Sequence, residues 1–444
     1  MSHKNGSFSS SLGFVLACVG SAVGLGNIWM FPYRLGQYGG AAFLVPYIFF
    51  IVLFGLTGLS AEFAIGRRAR TGTLGSYELC WGGDDKDAPA WKKGIGRIIG
   101  WIPLIGSLGI AIGYSIIIGW VLRSLGGSLT GTILSTDSAE YFSQATGSFG
   151  SLPWHLAVVL ITVAILLTGS VAQIEKANRI MMPVFFILFA ALAVRVGFLD
   201  GAEGGYSFLF VPKCEKLKNV DTWVMAMGQA FFSLSITGSG MIVYGSYLNK
   251  NADIIGASMR TAVFDTIAAL LSALAIMPAV FAFGIEPGSG PALMFITIPK
   301  IFSQMPMGQV FSVIFFLSVV FAGITSLINM FEAVIESWQH RFQIPRRLAV
   351  ALCGAICLGV GIFLEPEPFV GKWMDFITII VVPFGAVLGA VSVYYVFGYK
   401  KIKEELFEGR KAAVPAWFGA LAKYLYVPLT IAVFILGIAY KGIG

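Results

Sequence analysis

Four acidic side chains stand inside long apolar stretches of this sequence: Glu62, Asp265, Glu332 and Glu336. A charged group at bilayer depth costs about 3 kcal/mol or more unless it is paired or wet, so each marks a place where the chain binds something or pairs with itself. Asp265 lies in Ala262-Val263-Phe264-Asp265-Thr266-Ile267-Ala268, with Arg260 its only basic neighbour in sequence. A bound cation would satisfy it, and so would protonation and hydrogen bonding within a helix interface. Glu62, just ahead of Gly66-Arg67-Arg68, is expected to cap or pair near the inner end of its helix. Glu332 and Glu336, spaced i, i+4 ahead of His340, read as an inner gate or packing network.

Two glycine and hydroxyl clusters offer a second kind of chemistry. Gly20-Ser21-Ala22-Val23-Gly24-Leu25-Gly26-Asn27 interrupts the first apolar run, and Ser233-Leu234-Ser235-Ile236-Thr237-Gly238-Ser239-Gly240 interrupts the sixth. Glycine costs about 1 kcal/mol relative to alanine in a helix interior, so several beside hydroxyls at mid-run favour local unwinding. Unwound backbone frees carbonyls for a cation and N–H groups for a carboxylate. Close small-residue helix packing would use the same residues. The five cysteines and three histidines are scattered, which supports neither a disulfide framework nor a metal centre built on them, and no nucleophile–base pair stands out at depth.

The elements that must position these groups are membrane helices. Of 444 residues, 57% are apolar and 12% charged, against about 25% charged in soluble domains. Apolar runs fall at about 12–36, 41–70, 93–124, 154–171, 176–198, 222–248, 254–284, 308–339, 346–364, 374–398 and 414–440. That predicts an all-α polytopic membrane protein of eleven transmembrane helices in one domain over residues 1–444, its spans long enough for the roughly 30 Å hydrocarbon layer. With the N-terminus inside, the inner segments hold 20 of the 30 Lys and Arg residues and the outer segments 8, which places the C-terminus outside. The net charge of +7 is therefore loop bias, and no nucleic-acid partner is expected. The interrupted runs are the first and the sixth, as expected if the halves at about 12–198 and 222–398 form a 5+5 inverted repeat with the eleventh helix appended.

Taken in order, these residues resemble the neurotransmitter:sodium symporters, in their bacterial amino-acid branch. The resemblance spans the chain and rests on Gly24-Leu25-Gly26-Asn27-Ile28-Trp29 with Phe31-Pro32-Tyr33, Gly39-Gly40 with Phe43 and Pro46-Tyr47, Glu62 with Gly66-Arg67, and Ile174-Glu175-Lys176 before Met182-Pro183. Further support comes from Gln229 through Ser235, Gly290-Pro291 with Phe295 and Pro299, and Ala322-Gly323-Ile324-Thr325-Ser326. It implies two sodium ions. The first would be held by Ala22, Asn27, Ser233 and Asp265 with the substrate carboxylate, the second by the carbonyls of Gly20, Val23 and Ala322 and the hydroxyls of Thr325 and Ser326. It implies substrate contacts from Ala22, Leu25, Gly26, Ile110, Tyr114, Phe232, Ser235, Gly238, Ser326 and Met330, Tyr114 holding the carboxylate and Phe232 forming a lid.

The departures carry information as well. Met30 stands where the family's outer-gate arginine is usual, opposite Asp375; Asn5 and Phe8 replace a usual basic residue and tryptophan, and His340 takes roughly the place of the inner-gate aspartate. Gly24, where amine transporters carry an aspartate, implies that the substrate brings its own carboxylate. Gly238 is expected to leave room for a large side chain, whose polar end Thr237 or Ser239 would meet. Asp265, one turn before Ala269, is expected to supply the negative charge that chloride supplies in animal members, so chloride should not be required. The expectation is a sodium-coupled importer of a hydrophobic or aromatic L-amino acid in a bacterial plasma membrane, not an enzyme. A transport-inactive amino-acid sensor of the same fold is the alternative.

Overall fold

The computed structural model describes residues 7–83, 89–167, 171–285 and 293–443, and all regular structure among them is helical. Asn5 and Gly290-Pro291, invoked above, lie outside these residues. The chain opens with α1 (Ser11–Ala22) and α2 (Gly26–Gln37), two halves that meet at 58° across a short break. There follow α3 (Ala41–Ala69), α4 (Thr73–Gly82), α5 (Ala90–Thr130), α6 (Leu152–Leu167) and α7 (Val171–Val196). A second broken pair, α8 (Val220–Ser233) and α9 (Gly240–Ser246), precedes α10 (Ile254–Ala282), α11 (Gly308–Phe342), α12 (Arg346–Leu364), α13 (Glu367–Phe407) and α14 (Phe418–Ala439).

Among the described residues, eight helices are long and apolar enough to cross a bilayer, and the bent pair α1/α2 makes a ninth. The sequence expectation of eleven counts two more, α6 with its 16 residues and the α8/α9 pair, each element of which is shorter than a span. Several helices overrun the apolar stretches that announce them. α5 runs beyond 93–124 at both ends, and α13 begins at Glu367 and continues to Phe407. Hydropathy marks only the part of a helix in hydrocarbon, whereas helical hydrogen bonding continues through the polar layers.

Small residues set the closest contacts, as they do where helices pack without a hydrophobic driving force between them. A Cβ on Gly66 would lie 2.0 Å from the Ile242 carbonyl and one on Gly245 2.7 Å from Phe63 Cα, so α3 and α9 touch backbone to backbone. The inner end of the bundle, defined here as the end with the Lys/Arg-rich loops, is closed by side chains. Phe8 sits edge-on to Phe14, Tyr244 and Tyr247 at centroid distances of 5.3, 5.9 and 6.3 Å. Glu332 takes two bonds from Arg346, at 3.0 and 2.7 Å, and one from the Tyr247 hydroxyl at 2.6 Å. Its i, i+4 companion Glu336 packs against Gly72, whose added Cβ would fall 1.8 Å from Oε2, and His340 is exposed, near Gly75.

Arg67 anchors this inner end. Its fully buried guanidinium donates Nε to Glu405 Oε1 at 2.6 Å, Nη1 to the Ala252 carbonyl at 2.7 Å and Nη2 to the Glu405 carbonyl, tying α3 to the end of α13. Removing one partner of a buried pair leaves the other charged in a dry place. Arg67→Met should therefore destabilise by about 3–5 kcal/mol, and adding Glu405→Leu should recover much of the loss. Thermal unfolding in detergent checks this, and a double variant no more stable than Arg67→Met would mean that the pair does not hold the two helices.

Candidate functional site

The site is built on the two breaks. α1 ends at Ala22 because Val23 turns extended (φ −72°, ψ 112°), and helix resumes in a wider winding over Gly26–Met30. The amides freed there find side chains: Gly24 N donates to Asn27 Oδ1 at 3.1 Å and Leu25 N to the Tyr114 hydroxyl at 3.1 Å. Between α8 and α9, Ser235 (φ +53°) and Gly238 (φ +74°) enter the left-handed region, and glycine is the residue that does so without strain. Gly238 N donates to Glu62 Oε1 at 2.8 Å, and its carbonyl accepts from the Tyr77 hydroxyl at 3.2 Å. Glu62 thus caps the start of the half-helix α9; the expected capping or pairing at the inner end of its own helix is corrected by this contact. The reason is depth. An amide freed where no water reaches must be met by a side chain from the helix packed opposite.

Asn27, Ser233 and Asp265 come together from three elements. Asn27 Nδ2 reaches Asp265 Oδ1 at 2.7 Å and Ser233 Oγ at 3.1 Å, while Ser233 Oγ donates to Asp265 Oδ2 at 2.7 Å. Tyr47 adds its hydroxyl to Ser233 at 3.5 Å, and Gln229 Nε2 ties the Gly26 carbonyl at 3.0 Å. Ala22 ends α1 and is buried. A second cluster surrounds Ser326, whose Oγ lies 3.2, 3.1 and 3.1 Å from the carbonyl oxygens of Gly20, Val23 and Ala322. Thr325 Oγ1 lies 3.0 Å from the Ala322 carbonyl. Three carbonyls and two hydroxyls converging from α1 and α11 are the oxygen donors a small hard cation takes, and both sets fit sodium on that ground.

Above them opens a cavity of about 520 Å³. Leu25, Gly26, Ile110, Tyr114, Phe232, Ser235 and Met330 line it, and Phe232 is half-buried. Ala22 and Ser326 are both buried and are not among the residues that line it. Gly238 is a correction. A Cβ there would meet the Tyr77 hydroxyl at 2.7 Å, the Gly385 carbonyl at 3.0 Å and Pro103 Cβ at 3.3 Å, so it faces α4, α5 and α13 and makes no room in the cavity. Ser239 is corrected likewise. It is buried against Ser107 at 2.8 Å and Thr73 at 3.3 Å, and Thr237 alone of that pair lines the cavity. Composition identified the break, but the direction each residue faces follows from the left-handed turns within it.

Of one wall, sequence reasoning named only Asp375. Gly371, Met374, Asp375, Thr378, Ile379 and Val382 of α13 line the cavity at spacings of three and four, one helical face, a stripe that a period count over 371–382 would have found. At the mouth, Met30 and Asp375 line the same cavity, with Arg34 one turn beyond Met30. Arg34 Nη1 points at Met225 Sδ at 3.1 Å, and its buried Nε has no hydrogen-bond partner. Restoring the usual cation with Met30→Arg should draw α2 towards α13. A charged hydrogen bond at a half-dry mouth is worth about 1.5–3 kcal/mol, enough to shift the open–closed equilibrium about tenfold or more. A cysteine placed at Thr378 should then react with a membrane-impermeant thiol reagent about tenfold more slowly. An unchanged rate would mean that the two positions never meet.

Comparisons with known proteins identify the family and the fold. The model of the Sodium:neurotransmitter symporter family matches residues 5–146 and 132–441. An uncharacterized sodium-dependent transporter of Bacillus subtilis, YhdH, is 32% identical, covering 97% of this chain and 97% of its own length. An uncharacterized sodium-dependent transporter of Methanocaldococcus jannaschii, MJ1319, is 30% identical over 94% of this chain and 87% of its own. The crystal structure of MhsT in complex with L-phenylalanine superposes with a TM-score of 0.85 at 30% identity, covering 98% of this chain and all of that one. The relatives are transporters, not enzymes. The chain is a multi-pass membrane protein that belongs to the sodium:neurotransmitter symporter family and works as a sodium-dependent symporter.

Proposed function

We propose that this symporter imports a hydrophobic or aromatic L-amino acid by alternating access, with two sodium ions and without a chloride requirement. We place it in the plasma membrane of a bacterium, the N-terminus inside and the C-terminus outside, as eleven spans arranged as a 5+5 inverted repeat plus one. The observation that carries this reading is the break between α1 and α2. One cluster of oxygens lies on each side of it, and the freed Leu25 amide and Tyr114 hydroxyl stand at the floor of the cavity. A substrate carboxylate at that floor would meet an N–H and a hydroxyl and complete the Asn27–Ser233–Asp265 set. Sodium and substrate would then share a ligand, each raising the affinity of the other, which is the coupling a symporter needs. The MhsT structure was solved with L-phenylalanine, which supports an amino-acid substrate.

The substrate must bring that carboxylate because Gly24 has no space to supply one. A Cβ there would fall 2.5 Å from the Tyr114 hydroxyl and 2.8 Å from Ser326 Oγ. Apolar walls from Leu25, Ile110, Phe232 and Met330 favour an apolar side chain. Gly26 faces open space, with nothing within 4 Å of a Cβ added to it. Gly26→Val should therefore fold normally yet fill the space a bulky substrate needs, weakening binding of phenylalanine or tryptophan about tenfold, by 1–3 kcal/mol of overpacking, and that of alanine far less. Competition binding measures it, and equal losses for large and small amino acids would remove Gly26 from the side-chain subsite.

Asp265 is fully buried, as is Ala269 one turn later, which has no hydroxyl with which to hold an anion. The carboxylate already in the first cluster supplies the charge that balances sodium, so uptake into proteoliposomes should run equally in sodium gluconate and sodium chloride. Asp265→Asn should weaken sodium binding by about tenfold or more, because a hydrogen-bonded charge beside a cation in a dry site is worth several kcal/mol. Wild-type uptake that stops without chloride would overturn the charge-balance argument, and unaltered sodium affinity in the variant would remove Asp265 from the site. Sodium-dependent binding without accumulation would identify the sensor in place of the importer.

A further inference from the structure

At the end of α14 the chain turns back on itself. Beyond Ala439 the Lys441 amide bonds to the Ile438 carbonyl at 3.3 Å and the Gly442 amide to the Gly437 carbonyl at 2.8 Å, the paired bonds that reverse a chain after a helix. Such a reversal places one residue in the left-handed region, usually a glycine. Here Lys441 takes that place (φ +54°), with Gly442 following at φ +114°. A charged side chain thus stands where most helices dispense with one, and Lys441 and Gly442 both line the cavity of about 520 Å³.

The turned segment is clamped to α8. Tyr440 donates its hydroxyl to Asp221 Oδ1 at 2.9 Å, in the first turn of that helix. Two turns along, Gly228 makes a seat for the buried Ile443: a Cβ on Gly228 would fall 2.1 Å from the Ile443 carbonyl oxygen and 2.6 Å from its Cγ1. On its other side the segment meets α13, where a Cβ on Gly442 would lie 3.5 Å from Ile379 Cδ1. Asp375 stands one helical turn before Ile379, about 6 Å along the axis, and lines the same cavity. That rise is within the reach of an extended lysine side chain.

We infer that Lys441 is the cation of the outer gate, closing onto Asp375 in the role that Met30 does not fill. This rests on the symport reading above and extends it to the residue that shuts the mouth. The pair joins two walls, because Lys441 rides on a segment held by α8 while Asp375 belongs to α13. Arg34, the other cation beside Met30, is turned elsewhere: its Nη1 points at Met225 Sδ on α8, and its guanidinium lies over the Tyr33 ring at 5.6 Å. In the arrangement seen here Lys441 and Asp375 are both exposed and form no ion pair among the described residues, so the bond forms only as the mouth narrows.

The experiment uses Thr378→Cys as a reporter in proteoliposomes, with the exposed Cys214 changed to serine. Its reaction with a membrane-impermeant thiol reagent is timed in sodium with L-phenylalanine. Lys441→Asn, which suits a left-handed position and removes the charge, should let the reporter react about fivefold faster. Lys441→Arg should match wild type, and Arg34→Gln should change nothing. Adding Met30→Arg to Lys441→Asn should bring the rate back down, a rescue that a merely structural role of Lys441 would not show. A Lys441→Asn rate equal to wild type, a fast rate shared by Lys441→Arg, or acceleration by Arg34→Gln alone would each overturn the inference. Proximity is measured separately and without substrate: the pair Lys441→Cys and Asp375→Cys, again with Cys214→Ser, should be joined by a short bifunctional thiol reagent. Failure to join would overturn the inference whatever the reporter does. A wild-type reporter that ignores sodium with L-phenylalanine, beside a pair that does join, would instead count against the hydrophobic amino-acid reading, so the two failures are distinguishable.

Discussion

The rest of this structure depends on one constraint: backbone groups released by a broken helix at bilayer depth have no water to turn to. Each break must therefore be met by side chains from helices far away in sequence. Leu25 N is met by Tyr114, Gly238 N by Glu62, the Gly238 carbonyl by Tyr77 and the Gly240 carbonyl by Asn329 Nδ2. These side chains hold the broken helices open at fixed points, which leaves other carbonyls and hydroxyls free to converge. The two oxygen clusters arise here as the remainder of a hydrogen-bond account that the membrane forces to close.

The polar groups sort by depth into distinct tasks. At the inner end, charged groups are paired with one another, Arg67 with Glu405 and Arg346 with Glu332, and they join helices. At the middle, Asp265 is bonded only to neutral donors, Asn27 and Ser233, so its charge remains uncompensated by any cationic side chain among its described contacts. That difference separates a structural acid from one able to bind a cation. At the outer mouth, Arg34, Glu367, Asp375 and Lys441 surround an open cavity without forming ion pairs among their described contacts.

Glycines divide along the same lines. Gly66 and Gly245 let helices touch, Gly13 and Gly20 admit polar side chains from α7, and Gly26 faces open cavity. Gly24 lies between the hydroxyls of Tyr114 and Ser326, which leave no space for a side chain there. The residue type is the same in every case; its meaning depends on what stands opposite.

Much of this was legible in the sequence. Composition and run length identified the solvent, glycine with hydroxyl clusters located both breaks, and Asp265 announced itself as a carboxylate where hydrocarbon should be. These are local free-energy terms, fixed by a residue and its immediate neighbours against the bilayer. What the sequence left open was decided by packing. Glu62 looks like an end-of-helix acid until α9 is laid against α3, and Gly238 looks like a pocket residue until the left-handed turn points it at Tyr77. The α13 wall has meaning only beside the helices it faces. Such partnerships join residues tens to hundreds of positions apart, and only the folded bundle determines which helix stands opposite which.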